Sequence, residues 1–585
     1  MIQCIPAKMN KVNKVGEMFH FNKWKTLLIN RIIFATLSGI VIQFLLIVFL
    51  ILMVNFTTDY NLCLFNTWKM IISPKFWCYF IIVTSIIALQ GIISNKYYFQ
   101  YPTYPTNRFS LFHNICTMSN LLLALLNIMA SFNLMWILLL INDEKMNFKV
   151  TNCKSFYGKC LIEKYYFHLL ESIWSGLYLF IQTNFLHTHY LKFPFMPQSK
   201  FSQFMKGVQS MLPTLMLISF WSVSYFIIIY YFFGAYGNVI LSMIGIQVES
   251  IPLDNFSKLL SFPLITYSWS FQLIFSLIIN STSLLYKIYL TQWTSFKLHQ
   301  LRYSDKDKTD LMLEEALSSE KIPIIHHLAY LDLFILAQTN KIGRSKIYML
   351  SQPGGHPYTW NFIVQKFFNY FRIFSMDLNS IVSNKNDVIS HINNNKNNYN
   401  VEYRYNMRNM LIAEALENVK TGDKSKECTI IESFSKFVKI KWQKFVNYLL
   451  SKSLIIYVFG EHEKYKLKHI LFDSQSLIWA MEAVSSIAAL SLTEDCYGIV
   501  QKDIPALIET FLSLKQNLDK LLKFNTLLKK HHSEDKVVNE ILSMLQSTCK
   551  RSMYKLTTSF DIYINDLTLN SSVKEQLQSY VNYKE

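Results

Sequence analysis

Apolar residues fall along this chain in two patterns, long unbroken runs in the first half and helical spacing in the second. A helix needs about 20 mainly apolar residues to cross about 30 Å of hydrocarbon. Six stretches answer to that: Ile32–Val54, Phe76–Ile93, Ile115–Ile141, Phe167–Leu186, Met211–Phe233 and Leu264–Tyr286. Five carry no charged residue, and the fourth holds one, Glu171. They predict a six-span membrane domain over 32–290, behind a basic N-terminus at 1–31. Beyond about residue 290, apolar residues recur at three- and four-residue steps, the period of an amphipathic helix. Helices are predicted at Thr309–Ser319, with Asp305, Asp307 and Asp310 near its start, and at Pro323–Gln338, with Pro323 in the first turn. Others follow over 432–450, 473–492, 503–524, 533–550 and 551–567. No segment alternates apolar and polar residues for long enough to make a strand, so the predicted fold class is all-α. The asparagine-rich tract at 392–400 (INNNKNNYN) reads as a linker, because these side chains compete for backbone hydrogen bonds. It divides a helical region at 291–391 from a C-terminal helical domain at 401–585.

Composition agrees with a membrane protein. Hydrophobic residues make up 51% and charged residues 16% of the 585 positions, against about 25% charged in an average soluble domain. Residues 1–290 hold 20 Lys and Arg with 8 Asp and Glu, whereas 291–585 hold 37 and 31, so charge density rises where the runs end. With the N-terminus cytoplasmic, the inner segments carry 16 basic residues and the outer loops 8, which favours both termini inside; the basic loop at 142–166 opposes it. The first span is too long for a cleavable signal core and reads as a signal anchor that places the chain in the endomembrane system. The sequon Asn55-Phe56-Thr57 abuts the bilayer and is expected to stay unmodified. Nine cysteines make no disulfide framework. Cys153 and Cys160 share the third loop, predicted lumenal, where a disulfide and two free thiols are both open readings.

Candidate chemistry is sparse. Glu171 is costly inside a membrane, by about 2.5–3.5 kcal/mol on insertion scales, and shares a helical face with His168 and Ser175. It reads either as part of a transport pathway or as a group near the interface that contacts His168. Asn120, Asn127 and Asn133 are expected to hydrogen-bond between helices. His327-Leu-Ala-Tyr-Leu-Asp332 matches the H-x4-D pattern in which membrane acyltransferases pair a His base with an Asp. It lies in a continuous amphipathic run and lacks a phosphate-binding partner block. His462-Glu463 opens an H-E-x-x-H whose last position is Lys466, and no Walker loop, GxGxxG, CxxC pair or nucleophile elbow occurs. These residues predict no catalytic site, no metal and no cofactor. The basic amphipathic helix at 432–450 presents Phe434, Phe437, Lys439, Trp442 and Phe445, and it suits a membrane surface, a partner's groove or a solvated domain face. Ser351-Gln352-Pro353-Gly354-Gly355-His356-Pro357 is a rigid turn, since proline sets φ and glycine permits positive φ; it either reverses the chain or meets a partner.

That loop, with Leu350 before it and Trp360 after it, resembles the signature of the nuclear-division-cycle transmembrane nucleoporin family. The preceding His326–Leu333 is similar to that family too. So is a third block: Asp473-Ser474-Gln475, Trp479-Ala480-Met481-Glu482, Thr493-Glu494-Asp495, Tyr497–Gln501 and Pro505-Ala506. The resemblance implies a six-span pore-membrane protein with both termini away from the lumen, which agrees with the charge count. It implies a non-enzymatic anchor that seats the pore scaffold and supports pore assembly. The implied partners are an ALADIN-like β-propeller nucleoporin, an inner-ring nucleoporin with an RRM-like fold and membrane lipid, without nucleic acid. The alternatives are an acyltransferase acting through His327 and Asp332, and a multi-span transporter or chemoreceptor.

Overall fold

The computed structural model describes residues 5–54, 60–100, 107–146, 151–152, 159–185, 199–243, 247–249, 259–298, 311–319, 322–350, 355–394, 457, 467, 469–528, 536–564 and 566–581. The chain forms two compact units: Met1–Pro102 with Ile115–Asp332, and Thr103–Asn114 with Leu333–Glu585.

The first unit is built from α1 (Ile5–Val54), α2 (Tyr60–Ile72), α3 (Pro74–Ser94), α5 (Met118–Met146), α6 (Glu163–Phe185), α7 (Lys200–Met243) and α8 (Phe262–Leu290); α4 (Arg108–Ile115), between α3 and α5 in the chain, belongs up to Asn114 to the second unit. Helix α1 packs on α8, α3 on α5, α5 on α6, and α7 on α8. Ile47, Leu50, Phe76, Phe80, Leu134, Leu138, Phe271 and Phe275 form the shared core. A second cluster of Phe167, Phe226 and Tyr230 joins α6 to α7. The outer faces are apolar as well: Phe34, Val41 and Leu45 of α1, Ile81 of α3 and Leu217 of α7 are all exposed. Apolar residues on both the inner and outer faces suit a bundle whose surroundings are hydrocarbon. Pro213 sits inside α7, a position that membrane helices tolerate.

Among the described residues, six helical segments are long and apolar enough to cross a membrane: five lie in α1, α3, α5, α7 and α8, and the sixth is Leu471–Glu494 in the other unit. Burial separates these cases. Leu471–Glu494 is mostly buried, Trp479, Ala480, Met481, Ala483, Val484 and Ile487 among its inward residues, and offers lipid no continuous face. Helix α6 instead lies along α5 and turns Ile173, Leu177 and Ile181 outward at four-residue steps, so we assign the remaining crossing to it. One feature differs from the all-helical expectation. β1 (Thr151–Asn152) pairs antiparallel with β2 (Lys159–Ile162), which pairs parallel with β3 (Gln247–Glu249). Strands of two to four residues are too short to show alternation, and the pairing joins segments some 90 positions apart in the sequence.

The second unit contains the end of α10 (Pro323–Thr339), which follows α9 (Leu313–Ser318), then α11 (Lys341–Ile347), α12 (Tyr358–Asn394), α13 (Ser474–Glu494), α14 (Ile504–Leu528), α15 (Lys536–Ser559) and α16 (Ser571–Val581). Helix α12 buries Trp360, Ile363, Val364, Phe367, Phe371, Phe374 and Leu378 on one stripe, and Phe367 and Phe371 meet Phe511 of α14 edge-on. Helix α13 is buried nearly all round; Ala480, Ala483, Ala488 and its serines let neighbours approach closely. The helices expected at 533–550 and 551–567 are one continuous α15, ending at Ser559. No Gly or Pro interrupts the stripe Leu542, Leu545, Cys549, Met553 and Leu556, all buried. Helix α12 runs to Asn394, so the first three residues of the asparagine tract are helical.

Candidate functional site

The H-x4-D pair does not form the dyad that acyl transfer requires. Both residues lie on α10, but His327 is fully buried and its Nδ1–H donates to the carbonyl of Pro323 at 2.8 Å. Asp332 accepts instead from the Trp293 indole at 3.0 Å and from the Phe296 backbone N–H at 2.9 Å. Burial pushes the Asp332 carboxyl up to about 6 against the pull of those two donors. The same region receives the foot of α1: Arg31 donates to the carbonyls of Leu290 and Gln292 and to Thr294, and Trp24 packs on Phe296. These bonds tie the first span, the last span and the middle of α10 into one girdle. The acyltransferase reading has no geometric support.

Burial drives the His327 imidazole down to about 4, with its hydrogen bond to Pro323 acting the other way. The unfolded chain, whose histidine has the ordinary value of 6.5, takes up a proton that the folded chain refuses until about pH 4. Stability from this residue is therefore complete above pH 6.5 and is lost as pH falls, by about 2 kcal/mol between pH 7 and pH 5. Asp332, with its raised carboxyl, acts in the opposite sense. Comparing the chain with its His327→Gln variant isolates the histidine: thermal unfolding in detergent is expected to show a steeper acid loss in the parent, and equal slopes would refute a buried neutral imidazole.

Inside the bundle, Glu171 is buried with His168 Nδ1 at 3.0 Å and with the Ser268 hydroxyl donating at 2.9 Å. The contact with His168 is the one expected from their spacing, but the carboxylate also reaches across to α8. One turn on, Gly176 lies against the α5 backbone, where a Cβ would stand 2.6 Å from Ile128 Cα and 2.7 Å from the Asn127 carbonyl. Ser172 and Ser175, together with Asn127 and Ser131 of α5, are buried in the same seam. Two of the asparagines, Asn133 and Asn127, depart from the expected interhelical bonding. Asn133 donates within its own helix to Met129, Asn120 accepts from Lys96 in the loop after α3, and the amide of Asn127 has no protein partner among the described residues. Close backbone approach, not amide pairing, joins α5 to α6. The Ser172-x-x-x-Gly176 spacing is the sequence signal that marks it.

In the second unit, Ser351, Gln352, Pro353 and Gly354 lie outside the described residues. Gly355, His356 and Pro357 lead into α12, with His356 exposed and Pro357 buried. Trp360, three residues on, is fully buried and donates its indole N–H to Asp503 at 2.9 Å. The third sequence block is mostly architectural here. Trp479 is buried in α13, and burial pushes the Asp473 carboxyl up to about 7. Glu494 takes a bidentate ion pair from Arg344 of α11 at 2.8 and 2.9 Å. That pair is covered by only a thin layer of atoms, so hydrogen bonding prevails over desolvation, holding Glu494 below the usual carboxylate range and Arg344 above its own. The Asp495 carboxylate caps the next turn, accepting from the N–H groups of Tyr497 and Val500, and Gly498 supplies the positive φ of +65° that the turn needs. Arg344 and Asp503 carry no sequence signal, because their partners stand more than 140 residues away. Phe434, Phe437, Lys439, Trp442, Phe445, the whole 432–450 helix, His462, Lys466, Cys153 and Asn55–Thr57 lie outside the described residues. Cys160 sits in β2, opposite Thr151. Among the described residues no three His, Cys, Asp or Glu side chains are placed to hold a metal ion.

The chain is similar to known proteins along nearly its whole length. A profile described as Nucleoporin protein Ndc1-Nup matches residues 26–578. Nucleoporin NDC1 of Homo sapiens is 24% identical over 610 aligned positions, covering 87% of this chain and 89% of that protein. Nucleoporin Ndc1 of Drosophila melanogaster is 24% identical, covering 96% and 98%, and the Danio rerio protein is 21% identical, covering 86% and 90%. A match across both units, on a chain whose first half is a membrane bundle and whose second is a packed helical unit, makes this chain a multi-span member of the Ndc1 family of integral membrane nucleoporins.

Proposed function

We propose that the chain anchors the nuclear pore scaffold in the pore membrane, with the bundle embedded in lipid and the helical unit presented to soluble nucleoporins on the cytoplasmic or pore side. It acts mechanically and catalyses nothing. The observation that carries the sidedness is the composition of the units: the loop segment Thr103–Asn114, between the second and third spans, belongs to the same unit as Leu333–Glu585. Arg108 of that loop lies over the ring of Tyr457 at 3.4 Å. A loop and a C-terminal half that fold together stand on one side of the membrane, the side that carries the excess of basic residues. β2 and β3 pair the loops after the third and fifth spans, which alternation puts together on the opposite, lumenal side. The partners are an ALADIN-like β-propeller and an inner-ring nucleoporin with an RRM-like fold. Anionic lipid head groups add about 1 kcal/mol for each basic residue held near the surface. The chain enters the membrane at the endoplasmic reticulum and reaches the pore from there.

Tagging the C-terminus at its own locus and imaging it beside a scaffold nucleoporin tests the anchor. Coincident puncta around the nuclear rim are expected, and truncation before Thr309 is expected to keep the membrane signal while releasing the β-propeller partner. A uniform reticular signal without puncta would overturn the proposal.

A further inference from the structure

Helix α2 is built inside out. Its 13 residues span about 20 Å, too short to cross about 30 Å of hydrocarbon. Leu64, Phe65, Trp68 and Ile72 are 57%, 67%, 65% and 61% exposed, whereas Thr67 is 4% exposed and turned inward. At about 100° per residue those four apolar side chains fill an arc of about 100°, with exposed Lys69 at its edge. A helix facing water would place them the other way round. Helix α2 touches α1 and α3, and connectivity sets it at the membrane face where α1 ends at Val54 and α3 begins at Pro74. Ser73, with φ −60° and ψ 129°, breaks the helix before Pro74, so α2 does not continue along the direction of α3. Both neighbours also expose apolar residues in the turns nearest to α2: Phe49 and Met53 near the end of α1, Trp77 and Ile81 near the start of α3.

We propose that α2 lies in the plane of the membrane, its Leu64, Phe65, Trp68 and Ile72 face seated at the boundary between head groups and acyl chains of one leaflet. Trp68 and Lys69 are the residue types that favour that boundary, an amphipathic ring and a cation on a long stem. The depth expected of such a helix is about 5–10 Å. On the sidedness proposed above, this leaflet is the lumenal one. A helix seated in one leaflet adds area to that leaflet alone and bends the bilayer toward it. Here the bend is toward the lumen, the direction in which two facing membranes approach each other.

Photocrosslinking in the full chain tests the contact. The chain is reconstituted into dioleoylphosphatidylcholine vesicles with p-benzoylphenylalanine in place of Phe65 or, separately, of Leu45 on the outer face of the first span. After irradiation each position is expected to carry a lipid adduct, read as the mass of one phospholipid on the corresponding peptide. Serine at Leu64, Trp68 and Ile72 together is expected to lower the adduct at 65 about tenfold while leaving that at 45 unchanged. An adduct at 65 joining it to a second copy, or no adduct there, with lipid still captured at 45, overturns the proposal and leaves the span reading intact. Failure to capture lipid at both positions overturns the span reading and the proposal with it. A lumenal C-terminal tag would move α2 to the other leaflet without removing the lipid contact, so the sidedness and the contact fail separately.

Discussion

Replacing Gly176 with leucine is expected to force α5 and α6 apart and leave little of the chain folded. The atoms a side chain would meet are Ile128 Cα and N and the Asn127 carbonyl oxygen, at 2.6 to 2.8 Å, all backbone. Backbone atoms of a helix move only with the helix, and this helix is fixed on its far side by α3. Overpacking of a tight core costs about 1–3 kcal/mol for small additions, a range that fits Gly176→Ala, and leucine adds three more carbons to the same contact. Membrane helices also lack a hydrophobic force to press them together, so the lost close packing is not recovered elsewhere. The readout is the fraction of full chain that elutes as a single species in mild detergent. Gly207→Ala is the control, because the nearest atoms to its Cβ are in the Leu284 side chain, Cδ2 at 2.6 Å and Cδ1 at 3.1 Å, whose end can turn away. Normal elution of Gly176→Leu would show that α5 and α6 are not in backbone contact.

Trp360→Ala is expected to be the costliest single change in the second unit. The side chain is fully buried, and its truncation removes the largest ring from the α12 stripe; losses of about 3–5 kcal/mol are usual for such a change. It also strips Asp503 of the indole donor at 2.9 Å. For a unit of this size each kcal/mol lowers the melting temperature by about 2–4 °C, so a drop of about 10 °C is expected in the transition of the helical unit. Trp360→Phe keeps most of the ring and loses only the N–H, and should cost about 1–2 kcal/mol. Because Trp360 stands three residues after the end of the Ser351–Pro357 loop, the alanine variant is also expected to weaken any partner binding that uses the loop. A melting temperature within about 2 °C of the parent would show that this ring does not hold the unit together.

How far the sequence reaches is seen most clearly at α10. Period 3.6 placed a helix at Pro323–Gln338, and the structure has one at Pro323–Thr339. The same stretch holds a catalytic pattern, His327 to Asp332, that spacing alone cannot accept or reject. Only tertiary structure shows each side chain committed to a different partner, Pro323 for one and Trp293 with Phe296 for the other. Leu471–Glu494 shows the same limit for membrane crossing. Its apolarity matches that of a span, but the helices packed around it in the second unit take every face that lipid would need. Glu171 shows the converse: spacing along one helix put His168 beside it, while the bond from Ser268, 97 residues away, belongs to the fold.

By itself the sequence determined the properties that depend on neighbours along the chain. These are the apolar runs long enough to cross a bilayer, the helical period of the second half, the uneven spread of basic residues between the two halves, and the motif blocks that mark the Ndc1 family. Each is a sum over local residues, and hydrocarbon length, helical pitch and surface charge act on such sums directly. Tertiary structure alone decided which polar residues meet across the chain: Arg31 with Leu290, Gln292 and Thr294, Arg344 with Glu494, Trp360 with Asp503, and Gly176 against the backbone of α5. It also turned the apolar face of α2 outward. These depend on which helices become neighbours, and pairing between distant segments is set by packing of whole surfaces, which no local period records.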